Sequence, residues 1–86
     1  MSSLHHDHVR RELRSLIDRL SGGATFRDDQ DVFATGVVRS INLLELIVGV
    51  EDTYGIVVEE RDVFEGHLRT VDHLVAFVAG RARLPS

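Results

Sequence analysis

One stretch organises the chain, GVVRSINLLELI at residues 36–47, where a glycine turn leads into the most apolar helical pattern of the sequence. Ser40 stands directly before the periodic apolar run, the position at which a serine N-cap is favoured. A helix N-terminus carries partial positive charge and unpaired backbone N–H groups, so a phosphate on the Ser40 oxygen would be well placed there. We therefore interpret Ser40 as the attachment point of a phosphate-linked group.

Length and composition restrict what the chain can be. Its 86 residues predict a single domain, residues 1–86, with a core over about residues 4–82. A hydrophobic content of 43 % and a charged content of 28 % are typical of globular chains. The absence of cysteine excludes disulfides and protein thiolates, so any thiol must come from a cofactor. With no apolar run long enough to cross a membrane and no signal-peptide pattern, we expect a cytoplasmic protein without a membrane partner.

Negative charge is concentrated in the middle of the chain. Residues 28–65 contain ten acidic residues and two arginines, whereas the remainder contains four acidic residues and eight arginines. An acidic centre disfavours nucleic acid and favours basic protein surfaces as partners. A DNA-binding helical module is disfavoured further, because its recognition helix would carry Glu45 and Asp52.

Apolar spacing predicts two long helices in the first two thirds of the chain. The first is predicted over residues 4–20 and ends at Gly22 and Gly23. The second is predicted over residues 41–54 and ends at Gly55. It is so apolar that we expect neighbours on most of its sides. One stripe contains Leu43, Leu46, Ile47, Val50 and Tyr54, and a second contains Ile41, Leu44 and Val48.

The last third predicts a connector and two more helices. Residues 56–58 are β-branched, but no second strand exists to pair with them, so we predict an extended connector. A short third helix is predicted over residues 60–65, with Val63 and Phe64 facing inwards. A fourth helix follows an N-cap at Thr70. The predicted fold is all-α, a small four-helix bundle with three longer helices and a short third one.

Over residues 9–80 the sequence resembles the acyl carrier protein superfamily. The resemblance rests on DVF at residues 31–33, GxxxSI at 36–41, LLELI at 43–47, VEDTYGI at 50–56 and TVxxL at 70–74. It implies an acyl-carrier-like bundle in which Ser40 carries covalent 4′-phosphopantetheine, installed from coenzyme A by a phosphopantetheinyl transferase with Mg²⁺. The thiol of that arm holds cargo as a thioester, which agrees with the lack of cysteine in the chain.

The resemblance further implies a carrier and not an enzyme, with no catalytic or metal-binding residues of its own. The stretch FEGHLRTV at residues 64–71 looks more like free-standing carriers of secondary metabolism than like fatty-acid carriers. Such carriers serve polyketide or nonribosomal peptide biosynthesis, including antibiotic biosynthesis. The implied partners are an acyl- or aminoacyl-loading enzyme (a ligase or an acyltransferase) and a downstream synthase or transferase. We expect a monomer, since nothing in the sequence demands more.

One position departs from the family pattern. The family usually has an acid directly before the serine, where this chain has Arg39. A cation near a helix N-terminus is mildly unfavourable, so stability gives no reason for it. Either the partner enzymes differ, which we favour, or the arm has been lost and the chain is a non-catalytic helical interaction module. The partner contacts that we predict are Arg39, Asn42, Glu45, Glu51, Asp52 and Asp62.

Three other interpretations are weaker. The HHDH segment at residues 5–8 could bind a transition metal, but nothing else in the sequence supplies a closed site. A serine hydrolase would need GxSxG around its nucleophile, and Ser40 lacks both glycines, although His67 and His73 could be drawn as bases. Ser40 could also be an ordinary N-cap, although Leu43 at the third helical position offers no capping-box partner.

Overall fold

Four α-helices and one 3₁₀ turn make up the fold of this computed structural model, which describes residues 2–82 and the side chains of residues 6–81. No strand occurs in that part of the chain, so the predicted small all-α bundle is confirmed. None of its helices is both long and apolar enough to cross a membrane. The elements are α1 (Ser2–Ser21), the 3₁₀ turn (Ser40–Asn42), α2 (Leu43–Tyr54), α3 (Glu60–Phe64) and α4 (Val71–Ala82).

Helix α1 forms the most extensive interfaces, packing against α4 and against α2. It begins two residues before the predicted start, and Val9, Leu13 and Ile17 are buried at helical spacing. The helix ends where the glycines were predicted to end it. Gly23 has a left-handed φ of 89°, and its N–H donates to the carbonyl of Asp18 at 2.9 Å.

Helix α2 buries one apolar stripe and exposes the other. Leu46 and Val50 are fully buried, as predicted for the first stripe. The prediction of neighbours on most sides is wrong, because Ile41 is 81 % exposed and Leu44 is 69 % exposed. The physical reason is the placement of α3, which lies beside Leu43 and Ile47 of the first stripe and leaves the second stripe uncovered.

A glycine lets α1 and α2 approach closely. A Cβ atom added at Gly49 would lie 2.8 Å from a terminal carbon of the Leu16 side chain. Any larger residue at this position would therefore force Leu16 to move. The close approach helps to bury the inner stripe of α2 against α1, with Leu16 half-buried between the two helices.

The segment after α2 is an extended connector, as predicted, and it leads into α3. Ile56 is buried, whereas the predicted inward orientation of Phe64 is wrong, since Phe64 is 82 % exposed. Successive residues of a helix point about 100° apart. A helix this short cannot direct two neighbouring side chains into one core, and Val63 takes the inner position, half-buried.

Helix α4 begins as the sequence predicts. The hydroxyl oxygen of Thr70 accepts a hydrogen bond from the backbone N–H of His73 at 2.9 Å, which is N-cap geometry. Its inner face is buried against α1, and Phe77 is buried beside it. That inner face consists of Val71, Leu74, Val75 and Val78.

The long loop between α1 and the 3₁₀ turn is fixed by buried apolar side chains and by hydrogen bonds to α1. Phe26, Val32 and Val38 are buried in the core. In the same loop, the carboxylate of Asp28 accepts hydrogen bonds from Arg10 and Arg14 of α1. Burial pushes the pKa of Asp28 upwards, but the hydrogen bonds from the two guanidinium groups outweigh it, and the pKa lies below its ordinary value. The loop therefore brings the chain to Ser40 along a defined path.

Candidate functional site

The backbone around Ser40 is set by an anchor two residues earlier. Val38 is buried, and its N–H donates to the carbonyl of Val32 at 2.8 Å. Arg39 is extended, with φ −82° and ψ 153°, and Ser40 then opens the 3₁₀ turn. The N–H of Leu43 donates to the carbonyl of Ser40, so the turn runs directly into α2.

The prediction that Ser40 is the N-cap of the central helix is wrong. The N-cap of α2 is Asn42, and its side chain makes no capping hydrogen bond. The three residues of the 3₁₀ turn intervene between Ser40 and α2. The Ser40 side chain is exposed, and its hydroxyl has no hydrogen-bond partner within the described residues. The hydroxyl is therefore accessible rather than engaged in holding the helix.

Beside Ser40 lies an open cavity of about 180 Å³. Its walls are mostly apolar, and the charged residue among them is Arg69. A larger open groove of about 440 Å³ runs between α2 and α3. The cavity and the groove share Leu43 and Val63, so an apolar surface leads from the serine along α2. The remaining cavity walls are Phe33 and Leu68, and the groove adds Ile47, Val58, Glu59, Glu60 and Phe64.

Four of the predicted partner contacts are accessible near Ser40 or further along the same helix. Arg39 is exposed and its side chain caps no helix. The amide nitrogen of Asn42 donates to a carboxylate oxygen of Glu45 at 2.7 Å. Asp52 is exposed two turns after Glu45, so both acids lie on one face of α2. Their contacts with partner proteins remain predictions.

Glu51 has a role inside the fold. One oxygen of its half-buried carboxylate accepts the backbone N–H of Val58 at 2.9 Å. This hydrogen bond ties the connector back to α2. The second carboxylate oxygen has no hydrogen bond within the described residues, so the partner contact predicted for Glu51 remains a prediction.

The partner contact predicted for Asp62 is wrong, because its side chain is only 2 % exposed. Its carboxylate accepts the N–H of Glu59 at 2.8 Å and the guanidinium of Arg81 at 3.0 Å. The hydrogen bond from Glu59, and then that from Arg81, hold the pKa of Asp62 below its ordinary value despite burial. Arg81 also donates to the carbonyl of Val57 at 2.9 Å. Asp62 therefore fastens α3 and the connector to α4.

Arg69 is the residue at this site that the sequence did not reveal. It lines the cavity beside Ser40, although 29 positions separate the two residues in the sequence. No periodicity or motif connects such distant positions. The available signal was its place directly before the Thr70 N-cap, which puts it at one end of the bundle.

Among the described side chains, no histidine lines the cavity beside Ser40. His6 and His8 are exposed, and the ring nitrogen of His8 lies 3.4 Å from Glu12; the side chain of His5 lies outside the described residues. His67 stacks on Phe77 at 5.3 Å. Neither His67 nor His73 lines the cavity beside Ser40. The hydrolase interpretation therefore gains nothing from the structure.

One cluster could offer ligand atoms to a cation. Carboxylate oxygens of Asp62 and Glu65 and a ring nitrogen of His67 lie within 4.8 Å of one another. The Asp62 carboxylate is already ion-paired with Arg81, whose charge opposes a metal ion there. The described residues thus offer an accessible hydroxyl beside a mostly apolar cavity that no histidine lines. In comparisons with known proteins, no family model, curated protein or solved structure matches the chain.

Proposed function

We propose that the chain is a carrier of the acyl carrier protein type, holding an acyl or aminoacyl group as a thioester on 4′-phosphopantetheine attached to Ser40. The observation that carries this proposal is the position of the serine. Ser40 is exposed at the first residue of the turn that enters α2, and its unengaged hydroxyl lies beside an apolar cavity. An oxygen that must accept a phosphopantetheinyl group from another enzyme has to be reachable in this way.

The residues around Ser40 fit a phosphate-linked arm. The dipole of α2 favours a negative charge at the end where the 3₁₀ turn begins, although the N–H groups of Asn42 and Leu43 are already bonded to the carbonyls of Arg39 and Ser40. The attached arm would supply a thiol, which this cysteine-free chain does not have. The apolar cavity and the groove along α2 offer a surface on which carbon atoms of the arm or its cargo can be sheltered from water.

The outer face of α2 fits the partners that a carrier needs. Ile41, Leu44 and Val48 are exposed apolar side chains, and Glu45 and Asp52 lie on the same helix. Exposed apolar residues with charges beside them are typical of surfaces that bind other proteins transiently. The proposed partners are a phosphopantetheinyl transferase, a ligase or acyltransferase that loads the cargo, and a synthase or transferase that receives it.

The proposed pathway is polyketide or nonribosomal peptide assembly, or a related biosynthesis. It is supported by the similarity of residues 64–71 to free-standing carriers of that kind. In this role the chain is not an enzyme, because chemistry at the thioester belongs to its partners. It acts as a monomer that each enzyme binds in turn.

A second candidate function is a helical interaction module that has lost the arm. The observation in its favour is Arg39, which places an exposed positive charge where carriers usually have an acid. The exposed face of α2 would serve such a module equally well. The presence or absence of the arm on Ser40 separates the two functions.

The test is the intact mass of the protein after co-expression with a broad-specificity phosphopantetheinyl transferase. We expect the parent chain to gain the mass of one phosphopantetheine group, and Ser40→Ala to gain none. Ser15→Ala is the matched control, since Ser15 is an exposed serine on α1, and this variant should be modified like the parent. An arm on Ser40→Ala would disprove the assignment, and an unmodified parent would favour the interaction module.

A further inference from the structure

The cavity beside Ser40 contains a cation as well as apolar walls. Ser40 and Arg69 both line this space of about 180 Å³, together with Phe33, Leu43, Val63 and Leu68. For comparison, a cavity of roughly 150 Å³ in an apolar protein core accommodates benzene. Ser40 and Arg69 therefore border a common space that is large enough for a phosphate and a few carbon atoms.

The loop before Ser40 holds Arg69 in place. A terminal nitrogen of Arg69 donates to a carboxylate oxygen of Asp31 at 2.7 Å, and the carbonyl of Arg69 accepts the N–H of Val32 at 2.8 Å. Asp31 in turn accepts the backbone N–H groups of Phe33 and Ala34 at 3.0 and 2.8 Å. The Ala34 hydrogen bond first, and Arg69 after it, keep the pKa of Asp31 below its ordinary value against the effect of burial. Asp31 is thus a fixed anion that orients the guanidinium.

Arg69 has capacity for a second anion. A guanidinium carries five N–H donors in a planar fork that matches the oxygens of a phosphate. The bond to Asp31 uses one terminal nitrogen, and within the described residues no other side-chain acceptor binds Arg69. The side chain is 56 % exposed, so solvent and a newly attached group can reach it.

We propose that Arg69 binds the phosphate of the group attached to Ser40, with Asp31 orienting the guanidinium and the apolar walls covering the carbon atoms next to the phosphate. Arg69 is a positioning residue in this arrangement, and the inference rests on the function proposed above. Because Arg69 also holds Asp31 and Val32, the modification tightens the loop that leads to Ser40. The loaded form is then more stable than the unloaded form, through contacts that depend on charge.

The test compares unloaded and loaded protein after intact mass has confirmed the arm. The variants are Arg69→Gln, Arg69→Lys and the control Arg27→Gln, in which an exposed arginine paired with Asp29 is neutralised away from the cavity. In the parent, loading should raise Tm by a few degrees, as expected for one charge-assisted hydrogen bond in a domain of this size. High salt should reduce this shift. Arg69→Gln should lose most of it, Arg69→Lys part of it, and Arg27→Gln none.

A second measurement needs no variant. Side-chain ¹⁵N spectra of the parent should show a changed shift and slower hydrogen exchange of the Arg69 guanidinium on loading, with the Arg27 resonance as the internal reference. One result would disprove the phosphate contact and leave the carrier function standing. In that result the arm is attached, the Arg69 resonance stays as in the unloaded protein, and loading raises the Tm of Arg69→Gln as much as that of the parent. If no arm is attached to the parent, the carrier function fails and this inference fails with it.

Discussion

At the scale of single residues, Asp62 shows how neighbours decide the role of a side chain. In the sequence it is one acid of an acidic region, and in the fold it is a buried anion that joins α3 to Arg81 of α4. Removing one partner of a buried ion pair leaves the other without its counter-charge. Because Arg81 is partly exposed and water can replace part of the lost interaction, the cost should be moderate.

We predict that Asp62→Asn lowers the free energy of unfolding at pH 7 by about 2–3 kcal/mol. Glu60→Gln is the matched control, because Glu60 is an exposed acid on the same short helix, and its effect should stay within about 0.5 kcal/mol. Urea unfolding followed by circular dichroism measures both values. Equal midpoints for the two variants would show that the pair with Arg81 adds nothing to stability.

The same carboxylate predicts a pH dependence. The pKa of Asp62 is lower in the folded protein than its ordinary value, so the folded state binds the proton less readily than the unfolded state. Its contribution to stability is therefore complete above the ordinary pKa of an aspartate and is lost as the pH falls through the lowered folded value. Asp28 and Asp31 act in the same direction. Below about pH 4 the parent should lose stability more steeply than Asp62→Asn, which lacks one of these groups.

At the scale of elements, α2 carries two apolar stripes, and only one of them is buried. The inner stripe packs against the core and the outer one meets solvent, beside Ser40 and Glu45. The buried Leu46 stabilises the fold because its side chain is removed from water, whereas the exposed Leu44 contributes little. Two leucines two positions apart on the same helix thus provide a matched pair.

We predict that Leu46→Ala lowers the free energy of unfolding by about 2–5 kcal/mol, since Leu46 is fully buried. Leu44→Ala should change it by no more than about 0.5 kcal/mol, because Leu44 is mostly exposed. Both substitutions remove the same atoms from the same helix, so helix propensity cancels in the comparison. Similar unfolding midpoints would contradict the orientation of α2 described here.

At the scale of the whole molecule, some charges are paired within the fold and others are left exposed. Several arginines of α1 and of the later segments are paired, among them Arg10, Arg14, Arg69 and Arg81. Glu45 and Asp52 remain exposed on α2, whereas Arg39 is exposed next to Ser40. A partner that binds over Ser40 would therefore meet the cation of Arg39 on one side of the serine and the acids of α2 on the other. Such a pattern acts mainly on association rates and on partner choice.

We predict that Glu45→Arg or Asp52→Arg slows loading by a partner enzyme about threefold to tenfold at low salt. The slowing should shrink as salt rises, and stability should change little, because exposed charges contribute little to folding. Asp18→Arg on α1 is the control for the change in net charge. Loading rates across a salt series measure the effect, and a rate loss that equals that of the control would remove the acids of α2 as a docking site.

Arg39 belongs to the same prediction. If it matches an acid on a dedicated partner, Arg39→Asp should weaken loading by that partner and improve modification by a generic transferase. Equal rates for the parent and the variant with both enzymes would show that Arg39 has no role in partner choice.

Local patterns in the sequence were sufficient to predict the four α-helices of this fold. Helical periodicity, the glycines after α1 and α2 and the threonine before α4 predicted four helices and several of their ends, because these signals act within a few neighbouring residues. The same patterns did not find the 3₁₀ turn that displaces Ser40 from the N-cap. That turn follows Val38, which is buried in the core two residues before Ser40.

The sequence alone was enough to predict a helical bundle with a serine before its central helix, since periodicity and helix ends are local properties. The full fold was needed to learn which stripe of α2 is covered, that Asp62 is buried, and that Arg69 lies beside the cavity of Ser40. These three facts depend on contacts between residues far apart in the chain. A periodic pattern states that a face is apolar, but the length and placement of the neighbouring helices decide whether anything covers it.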